Sequence, residues 1–434
     1  MNSRASDVRK FSIKTFGCKV NQYEAQHIRE NLVLAGLSEC GPGEEPDIFI
    51  INSCTVTARA DRDARYAIMR AHRTTPEAKI VVTGCYAEKD EAEISALPGV
   101  SKVIKNSDKP NLAAILISDP LYPIPDPRHA PRSTPIISGF KGHTKAFVKI
   151  QDGCENFCSY CKVPYVRGAF RSRPLADITD EVRTLVSKGY KELVLTGICL
   201  GAWGVEGRGS LCEVLEAIRK IEGVFRVRLS SIEPKYVTDR LIDMIASDRR
   251  ICRHLHIPLQ SGDNDVLARM NRPYKREDFR AIVERFRSRI RDAAFTTDVI
   301  VGFPGEEERN FMNTLELIKE LSPGRTHIFT YSPREGTAAF CMEGACAPGA
   351  SKERFGRLRD AADSASLSFR RQFAGRRLDV LVQTSRDRGT GLLTGYSDNY
   401  IKVLFRGPDS MMNNIVRVNI ERVDAESAIG SYGD

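Results

Sequence analysis

Strand-like and helix-like segments alternate along most of this chain, and this alternation constrains its fold more than any other feature. Segments typical of strands at residues 11–16 (FSIKTF), 47–52 (DIFIIN) and 79–83 (KIVVT) are each followed by a stretch that is predicted to be helical. Strands that alternate with helices form parallel βαβ units. Residues 9–117 are therefore predicted to form an α/β domain with a parallel sheet. Asn21 and Glu24 are predicted to cap the start of its first helix.

The alternation stops in a proline-rich segment and then resumes. Residues 118–135 carry six prolines, so a linker is predicted over 118–139. Six strand-helix units over 140–370 predict an open, partial (β/α)6 barrel with its working face at the carboxyl ends of the strands. Residues 371–434 change to period-two strands separated by Gly, Asn and Asp turns, which predicts a small all-β barrel.

Three cysteines within eight residues mark the start of the central barrel. Cys154, Cys158 and Cys161 form a C-x3-C-x2-C pattern with no His or fourth Cys nearby. A structural zinc site and an electron-carrying iron-sulfur cluster each take four protein ligands. Three thiolates therefore indicate a cubane cluster with one iron left open for another ligand. A zinc site completed from elsewhere in the chain and three unrelated buried cysteines are the alternatives.

A second set of three cysteines is spread over the first domain. Cys18, Cys54 and Cys85 each come one or two residues after a predicted strand, in TFGC, INSC and VTGC. The carboxyl ends of parallel strands open onto one crevice, so these thiols are expected to meet. The pattern indicates a second three-thiolate cluster, and the alternative is a chance placement of small apolar residues at strand ends.

Composition narrows the class of protein. Neither a leader with an apolar core nor a run of eighteen apolar residues occurs, so a cytoplasmic protein without membrane association is expected. Twelve cysteines in 434 residues are too few for a disulfide scaffold. The remaining six are predicted to be packing residues: Cys40, Cys199, Cys212, Cys252, Cys341 and Cys346. The formal charge of +9 permits an anionic partner such as nucleic acid without establishing one.

Several segments carry a resemblance to one family. CENFCSYC (154–161), with Tyr160 before the last cysteine, resembles the motif of radical S-adenosylmethionine enzymes. TFGCKVNQYE (15–24) resembles the first-cysteine motif of the MtaB branch of the methylthiotransferases. Other segments similar to that family are TGICLGAWG (196–204), RLSSIEP (228–234), HIPLQSGDNDVLARMNRPY (256–274), TDVIVGFPGEE (297–307) and FTYSPREGTAA (329–339). The resemblance covers nearly the whole chain.

The resemblance implies a role for each domain and site. Cys154, Cys158 and Cys161 would hold the 4Fe-4S cluster that cleaves S-adenosylmethionine to a 5′-deoxyadenosyl radical, and a second 4Fe-4S cluster, auxiliary to the first, would sit on Cys18, Cys54 and Cys85. The C-terminal barrel would be a TRAM domain. Contacts to S-adenosylmethionine are expected from strand-end residues of the central barrel and from the cysteine loop: Tyr160, Gly197, Ser231, Glu233 and Gln260.

The implied activity is methylthiolation of tRNA. The substrate would be C2 of N6-threonylcarbamoyladenosine at position 37, in the anticodon loop, with two molecules of S-adenosylmethionine consumed. A one-electron reductant such as flavodoxin or ferredoxin and a sulfur donor would be needed. Alternatives are a sister enzyme acting on isopentenyladenosine or on a ribosomal protein, and, from another class, a non-catalytic iron-sulfur or zinc protein that binds RNA or senses redox state.

Overall fold

A computed structural model describes residues 9–121 and 136–433, which form two compact units. The first holds the chain up to Lys141 together with Gly153–Glu155 and Cys161–Ala169. The second holds Gly142–Asp152, Asn156–Tyr160 and the chain from Phe170 onward. Most of the predicted linker lies outside the described residues. Within the two described ranges, no helix combines the length and apolar character that crossing a membrane requires.

The first unit is a five-stranded parallel sheet covered by helices on both faces. Its strands are β1 (Lys10–Thr15), β2 (Ser38–Glu39), β3 (Ile48–Ser53), β4 (Lys79–Gly84) and β5 (Val100–Ile104), and its helices are α1 (Lys19–Leu34), α2 (Ala58–Thr74), α3 (Cys85–Lys89), α4 (Glu91–Ser95), α5 (Leu112–Ile117) and α6 (Val163–Arg167). The strand order is β2-β1-β3-β4-β5, with every neighbouring pair parallel. One apolar cluster joins the sheet to α1 and α5, and another joins it to α2, α3 and α4. The predicted parallel α/β fold is confirmed.

The predicted capping role of Asn21 and Glu24 is wrong. Helix α1 begins at Lys19, with Cys18 at the N-cap position, so both residues lie inside the helix. Asn21 Nδ2 instead donates to the backbone oxygens of Phe16 and Ser53, at 2.8 Å each. The Ser53 carbonyl lies at the buried end of β3, where an unpaired polar group costs more than an uncapped helix end exposed to water.

The second unit contains the predicted partial barrel. Its strands are β6 (Ala146–Asp152), β7 (Arg171–Ser172), β8 (Glu192–Gly197), β9 (Arg226–Leu229), β10 (His254–His256), β11 (Ala294–Val301) and β12 (Arg325–Thr330), and its helices are α7 (Leu175–Ser187), α8 (Leu211–Arg219), α9 (Asp239–Ser247), α10 (Asn264–Arg269), α11 (Arg276–Arg289), α12 (Glu308–Leu321) and α13 (Pro348–Arg371). Bridges between Val227 and Ile251 and between Ser231 and His256 join the two strand groups, giving six parallel strands in the order β6-β8-β9-β10-β11-β12.

The same unit ends in a closed five-stranded barrel, as expected for a TRAM domain. Its strands are β13 (Arg377–Arg386), β14 (Leu393–Ser397), β15 (Lys402–Arg406), β16 (Ile415–Val423) and β17 (Ala428–Tyr432), in the closed order β13-β14-β15-β17-β16. Four of these strands match predicted segments, and β17 is an addition. It pairs parallel with β15 and antiparallel with β16, which closes the barrel.

Candidate functional site

Three cysteines of the first unit lie at the carboxyl edge of its sheet. Cys18 caps α1 after β1, Cys54 directly follows β3, and Cys85 directly follows β4 as the first residue of α3. The strand order reverses between β1 and β3, and ligands of open parallel sheets bind in the crevice at such a point. The structure therefore brings these three thiols, which are far apart in sequence, to one edge of the sheet.

The environment of Cys54 suits a thiolate that is bound to metal. The pKa of the Cys54 thiol is raised to about 11, chiefly by burial and also by the neighbouring Cys85 and Cys18, whereas a backbone hydrogen bond at Val56 and the charge of Arg167 act in the opposite direction. The backbone at Gly17 has a φ of +91°, and a Cβ there would lie 2.7 Å from the Cys54 sulfur. Burial and the two neighbouring cysteines thus disfavour the ionised form of Cys54, and a bound metal removes that penalty. The residues present thus fit an iron-sulfur cluster.

Arg167, at the end of α6, completes this site from a distant part of the sequence. Its Nε lies 3.2 Å from Cys85 Sγ, and Nη1 lies 2.6 Å from Glu24 Oε1. Its Nη2 donates to Asn21 Oδ1 at 2.5 Å, and Lys109 Nζ donates to the other oxygen of Glu24 at 2.8 Å. Only 2% of Arg167 is exposed. The sequence analysis missed this residue because nothing in its local pattern points to residues 82 to 146 positions away.

Cys154, Cys158 and Cys161 share the loop between β6 and α6. The backbone N–H of Cys154 donates to Gly168 O at 2.9 Å, and the N–H of Val163 donates to Cys161 Sγ at 3.4 Å. Cys154 and Cys161 are grouped with the first unit, and Cys158 is grouped with the second. All three are partly exposed, so their thiols are accessible to a metal.

In the second unit, a buried arginine lies between Cys158 and Glu233. Arg272 Nη1 lies 3.3 Å from Cys158 Sγ and 3.3 Å from Glu233 Oε1, and Nη2 also pairs with Glu233. Burial alone would lower the pKa of Arg272, but Tyr274, Tyr160, Glu233 and Cys158 raise it well above its usual range. The structure thus gathers three predicted residues around a guanidinium that the sequence analysis did not assign.

Comparison with known proteins identifies the family. The Radical SAM superfamily profile matches residues 148–318, and that of an uncharacterised protein family, UPF0004, matches residues 10–105. A threonylcarbamoyladenosine tRNA methylthiotransferase, MtaB, of Thermotoga maritima is 36% identical over 97% of this chain and 96% of its own length. The chain belongs to the radical S-adenosylmethionine methylthiotransferase family. It is therefore an enzyme, as its resemblance implied.

Two further relatives help to define this methylthiotransferase. A tRNA-2-methylthio-N(6)-dimethylallyladenosine synthase of Parafrankia sp. is 35% identical over 92% of this chain and 84% of its own length. The radical S-adenosylmethionine methyltransferase TsrM of Kitasatospora setae, solved with cobalamin and a [4Fe-4S] cluster bound, has the same fold, with a TM-score of 0.56, 15% identity and 77% coverage of each chain.

The other predicted cofactor residues of the methylthiotransferase are spread along the strand ends of the barrel. Gly197 ends β8, and a Cβ there would lie 3.0 Å from Gln151 Oε1. Ser231 follows β9 and bridges to His256. Gln260 has a φ of +66°, and its backbone N–H donates to Asp298 O at 2.8 Å.

The packing prediction for the remaining cysteines is correct for only some of them. Cys199, Cys212 and Cys252 are buried, whereas Cys40 and Cys346 are half-buried. Cys341 is exposed, so the prediction is wrong there. It is the last residue of a short 3-10 turn (Ala338–Cys341) that buries the side chain of Ala339 and leaves that of Cys341 exposed.

Proposed function

We propose that this enzyme methylthiolates C2 of N6-threonylcarbamoyladenosine at position 37 of tRNA, using two molecules of S-adenosylmethionine. The observation that carries the proposal is the three-thiol site at the edge of the first sheet, in which Cys54 and Cys85 are buried, Cys18 is exposed and Arg167 lies beside Cys85. A site of this kind, distinct from the motif in the β6–α6 loop, matches the need of a sulfur-inserting enzyme for two metal centres. The TFGCKVNQYE segment supports the threonylcarbamoyl substrate.

In this proposal the two sets of thiols have different tasks. Cys154, Cys158 and Cys161 hold the 4Fe-4S cluster that supplies the electron for cleavage of S-adenosylmethionine. Cys18, Cys54 and Cys85 hold the auxiliary 4Fe-4S cluster, and Arg167 orients Cys85. Tyr160, Gly197, Ser231, Glu233 and Gln260 remain the proposed contacts to S-adenosylmethionine, with Arg272 holding Glu233 in position.

The proposal includes partners that the chain does not itself contain. A cytoplasmic one-electron reductant such as flavodoxin or ferredoxin supplies the electron, a sulfur donor restores the inserted sulfur, and the anticodon loop of tRNA is the substrate.

Four regions make up the proposed domain arrangement: a cluster domain over 9–117, a linker over 118–139, the radical domain over 140–370 and the TRAM domain over 371–434.

The substrate is tested by mass analysis of tRNA nucleosides from a strain that lacks the gene. We expect 2-methylthio-N6-threonylcarbamoyladenosine to disappear and its precursor without the methylthio group to accumulate. The Parafrankia relative favours a second candidate, the dimethylallyl substrate. Loss of the methylthio group from dimethylallyladenosine would reassign the enzyme to that activity, and its loss from a ribosomal protein would reassign it to the sister enzyme that acts on such a protein.

A further inference from the structure

The inner face of the β10–β11–β12 sheet carries a cluster of polar side chains that the proposed function does not yet use. Phe295 on β11 packs against Phe279 of α11, with ring centroids 6.3 Å apart, so its side of the sheet faces the helices. Side chains alternate along a strand, and Thr296 and Asp298 therefore lie on the opposite, inner face. A barrel interior is usually filled by Val, Ile and Leu. Polar groups here point to a ligand.

His256, Asp298 and His327 form the centre of this face. His256 Nε2 lies 3.1 Å from Asp298 Oδ2, and His327 Nδ1 lies 3.0 Å from Asp298 Oδ1. The two imidazole rings stack with centroids 5.5 Å apart. Burial alone would raise the pKa of Asp298, but the hydrogen bonds and positive charges of both histidines hold it well below its usual range. The carboxylate is therefore ionised and fixes both rings.

His327 has one ring nitrogen left for a ligand. His256 uses its other nitrogen, Nδ1, to contact Thr296 Oγ1 at 2.8 Å. His327 Nε2 has no partner among the described residues, and 38% of the His327 side chain is exposed. A metal ion would compete for Asp298 oxygens that already accept hydrogen bonds from both imidazoles. An anion bound at Nε2 would instead place the His327 ring between two acceptors, with Asp298 at Nδ1, and the imidazolium form donates one N–H to each of them.

An exposed aromatic ring lies nearby on the same face. Phe329 is two residues beyond His327 on β12, about 6.6 Å further toward the carboxyl end of the strand, and is 48% exposed. Exposed aromatic rings serve as stacking platforms for nucleobases. A purine stacked on Phe329 would stay near the strand ends, where the cysteine loop emerges, while a substituent on its N6 would extend down the strand toward His327.

We propose that His327, oriented by Asp298, binds the carboxylate of the substituent on N6 of the substrate adenine, and that Phe329 stacks on the base. This inference rests on the proposed function, because a threonylcarbamoyl group carries such a carboxylate and a dimethylallyl group does not. His327 is then a residue that determines specificity between an anionic and an apolar substituent.

The test uses two RNA anticodon hairpins that differ in one charge. One carries N6-threonylcarbamoyladenosine with a free carboxylate, and the other carries its neutral methyl ester. Affinity for both is measured with anaerobically prepared full-length enzyme, followed by the rate of methylthiolation. We expect the wild type to prefer the free acid by about ten- to a hundredfold, and His327→Phe to bind both hairpins alike.

Matched variants keep each outcome informative. His143→Phe changes an exposed histidine of the same unit and should keep the preference, and His327→Asn should lose it as His327→Phe does. Reductive cleavage of S-adenosylmethionine at the wild-type rate shows that a variant is folded. A wild type that modifies neither hairpin removes the proposed substrate. A wild type that treats both alike, or a His327→Phe variant that still prefers the acid, overturns the role of His327 alone.

Discussion

Arg167 brings a positive charge into a buried site that also contains a thiol, a carboxylate and an amide. Its guanidinium reaches Cys85, Glu24 and Asn21 at once, and Asn21 in turn holds the loops that precede Cys18 and Cys54. A hydrogen bond to a cluster sulfur and a nearby positive charge both raise the reduction potential of an iron-sulfur centre. One side chain thus affects the geometry and the charge of the whole three-thiol site.

Replacing Arg167 with Gln should damage both stability and cluster binding. The change leaves Glu24 buried with Lys109 as its remaining ion-pair partner, and breaking a buried pair costs about 3–5 kcal/mol. We expect a lower melting temperature and fewer irons per chain, while Arg167→Lys retains part of both. Arg59→Gln, which changes an exposed arginine of α2, is the control. Unchanged stability and iron content in Arg167→Gln would contradict this account.

The two sets of cysteines should separate two halves of the reaction. Cys158→Ala is expected to abolish cleavage of S-adenosylmethionine and all product. Cys54→Ala should still release 5′-deoxyadenosine but give no methylthiolated nucleoside, because the proposed function assigns assembly of the sulfur to its site. Circular dichroism of each variant checks folding, since metal binding energy can be folding energy. Methylthiolated tRNA at the wild-type rate from folded Cys54→Ala protein would mean that the first-unit thiols are only packing residues.

At the scale of elements, the turns that follow the strands place the thiols. Gly84 is both the last residue of β4 and the N-cap residue of α3, and its φ is +100°. A Cβ at this position would collide with the backbone oxygen of Ser53 and lie 2.6 Å from its nitrogen. Only glycine lets β4 approach β3 this closely and still begin a helix with Cys85.

Gly84→Ala is therefore expected to displace Cys85. The substitution requires a conformation that L residues rarely adopt and a backbone shift of β3, at a cost of more than about 1 kcal/mol. Iron content and the melting temperature should both fall. Gly43→Ala is a matched control, because Gly43 also has a positive φ but has nothing within 4 Å of the added Cβ. Equal iron content in the two variants would show that the turn does not place the thiol.

The elements show what the sequence predicts well and what it does not. The periodicity of apolar residues predicts strands at 191–196 and 294–301, and the structure confirms them as β8 and β11 to within one residue, because both strands are largely buried. The capping role predicted for Asn21 is wrong, because its side chain instead donates to the backbone oxygens of Phe16 and Ser53. Arg167, Arg272 and the His256–Asp298–His327 cluster were also missed, since each depends on contacts between residues far apart in sequence.

At the scale of the whole molecule, one buried carboxylate joins the two barrels of the second unit. Glu192 of β8 accepts from Arg226 Nε at 2.7 Å and from Arg228 Nε at 2.9 Å. The same arginines donate to the backbone oxygens of Tyr396 and Asp398 in the C-terminal barrel, at 2.8 and 2.9 Å. Phe369 and Phe373 also pack in the core of that barrel. The C-terminal barrel is therefore part of the second unit and not an appendage.

Glu192→Gln should destabilise the whole second unit. Burial alone would raise the pKa of Glu192, but Arg228 and Arg226 hold it well below its ordinary value of 4.5. The carboxylate therefore stabilises the folded state above about pH 4.5, and this contribution is lost as the pH falls below that value. We expect a loss of about 3–5 kcal/mol at pH 7 and a smaller loss at pH 3. Glu216→Gln, at an exposed ion pair, should change little.

The C-terminal barrel is also expected to contribute affinity for the phosphate backbone of tRNA. Arg388, Arg406 and Arg422 are exposed on it. Each phosphate contact that is lost weakens binding and reduces the slope of log binding constant against log salt concentration by about 1. The triple Ala variant should therefore bind tRNA more weakly at low salt and show a flatter salt dependence, with Lys188→Ala as the control. An unchanged slope would mean that tRNA contacts the enzyme elsewhere.

The division of the chain between the two units has a consequence for biosynthesis. The ribosome completes Cys18, Cys54 and Cys85 and their sheet well before it adds Cys161–Ala169, although that segment belongs to the same unit. A nascent chain that has emerged from the ribosome only up to Lys141 contains Glu24 and Cys85 but lacks the Arg167 guanidinium that contacts both. Folding of the first unit therefore cannot finish cotranslationally until residue 169 has left the exit tunnel. By then the chain also carries Cys154, Cys158 and Cys161, so both sets of thiols are present before the first unit can finish folding.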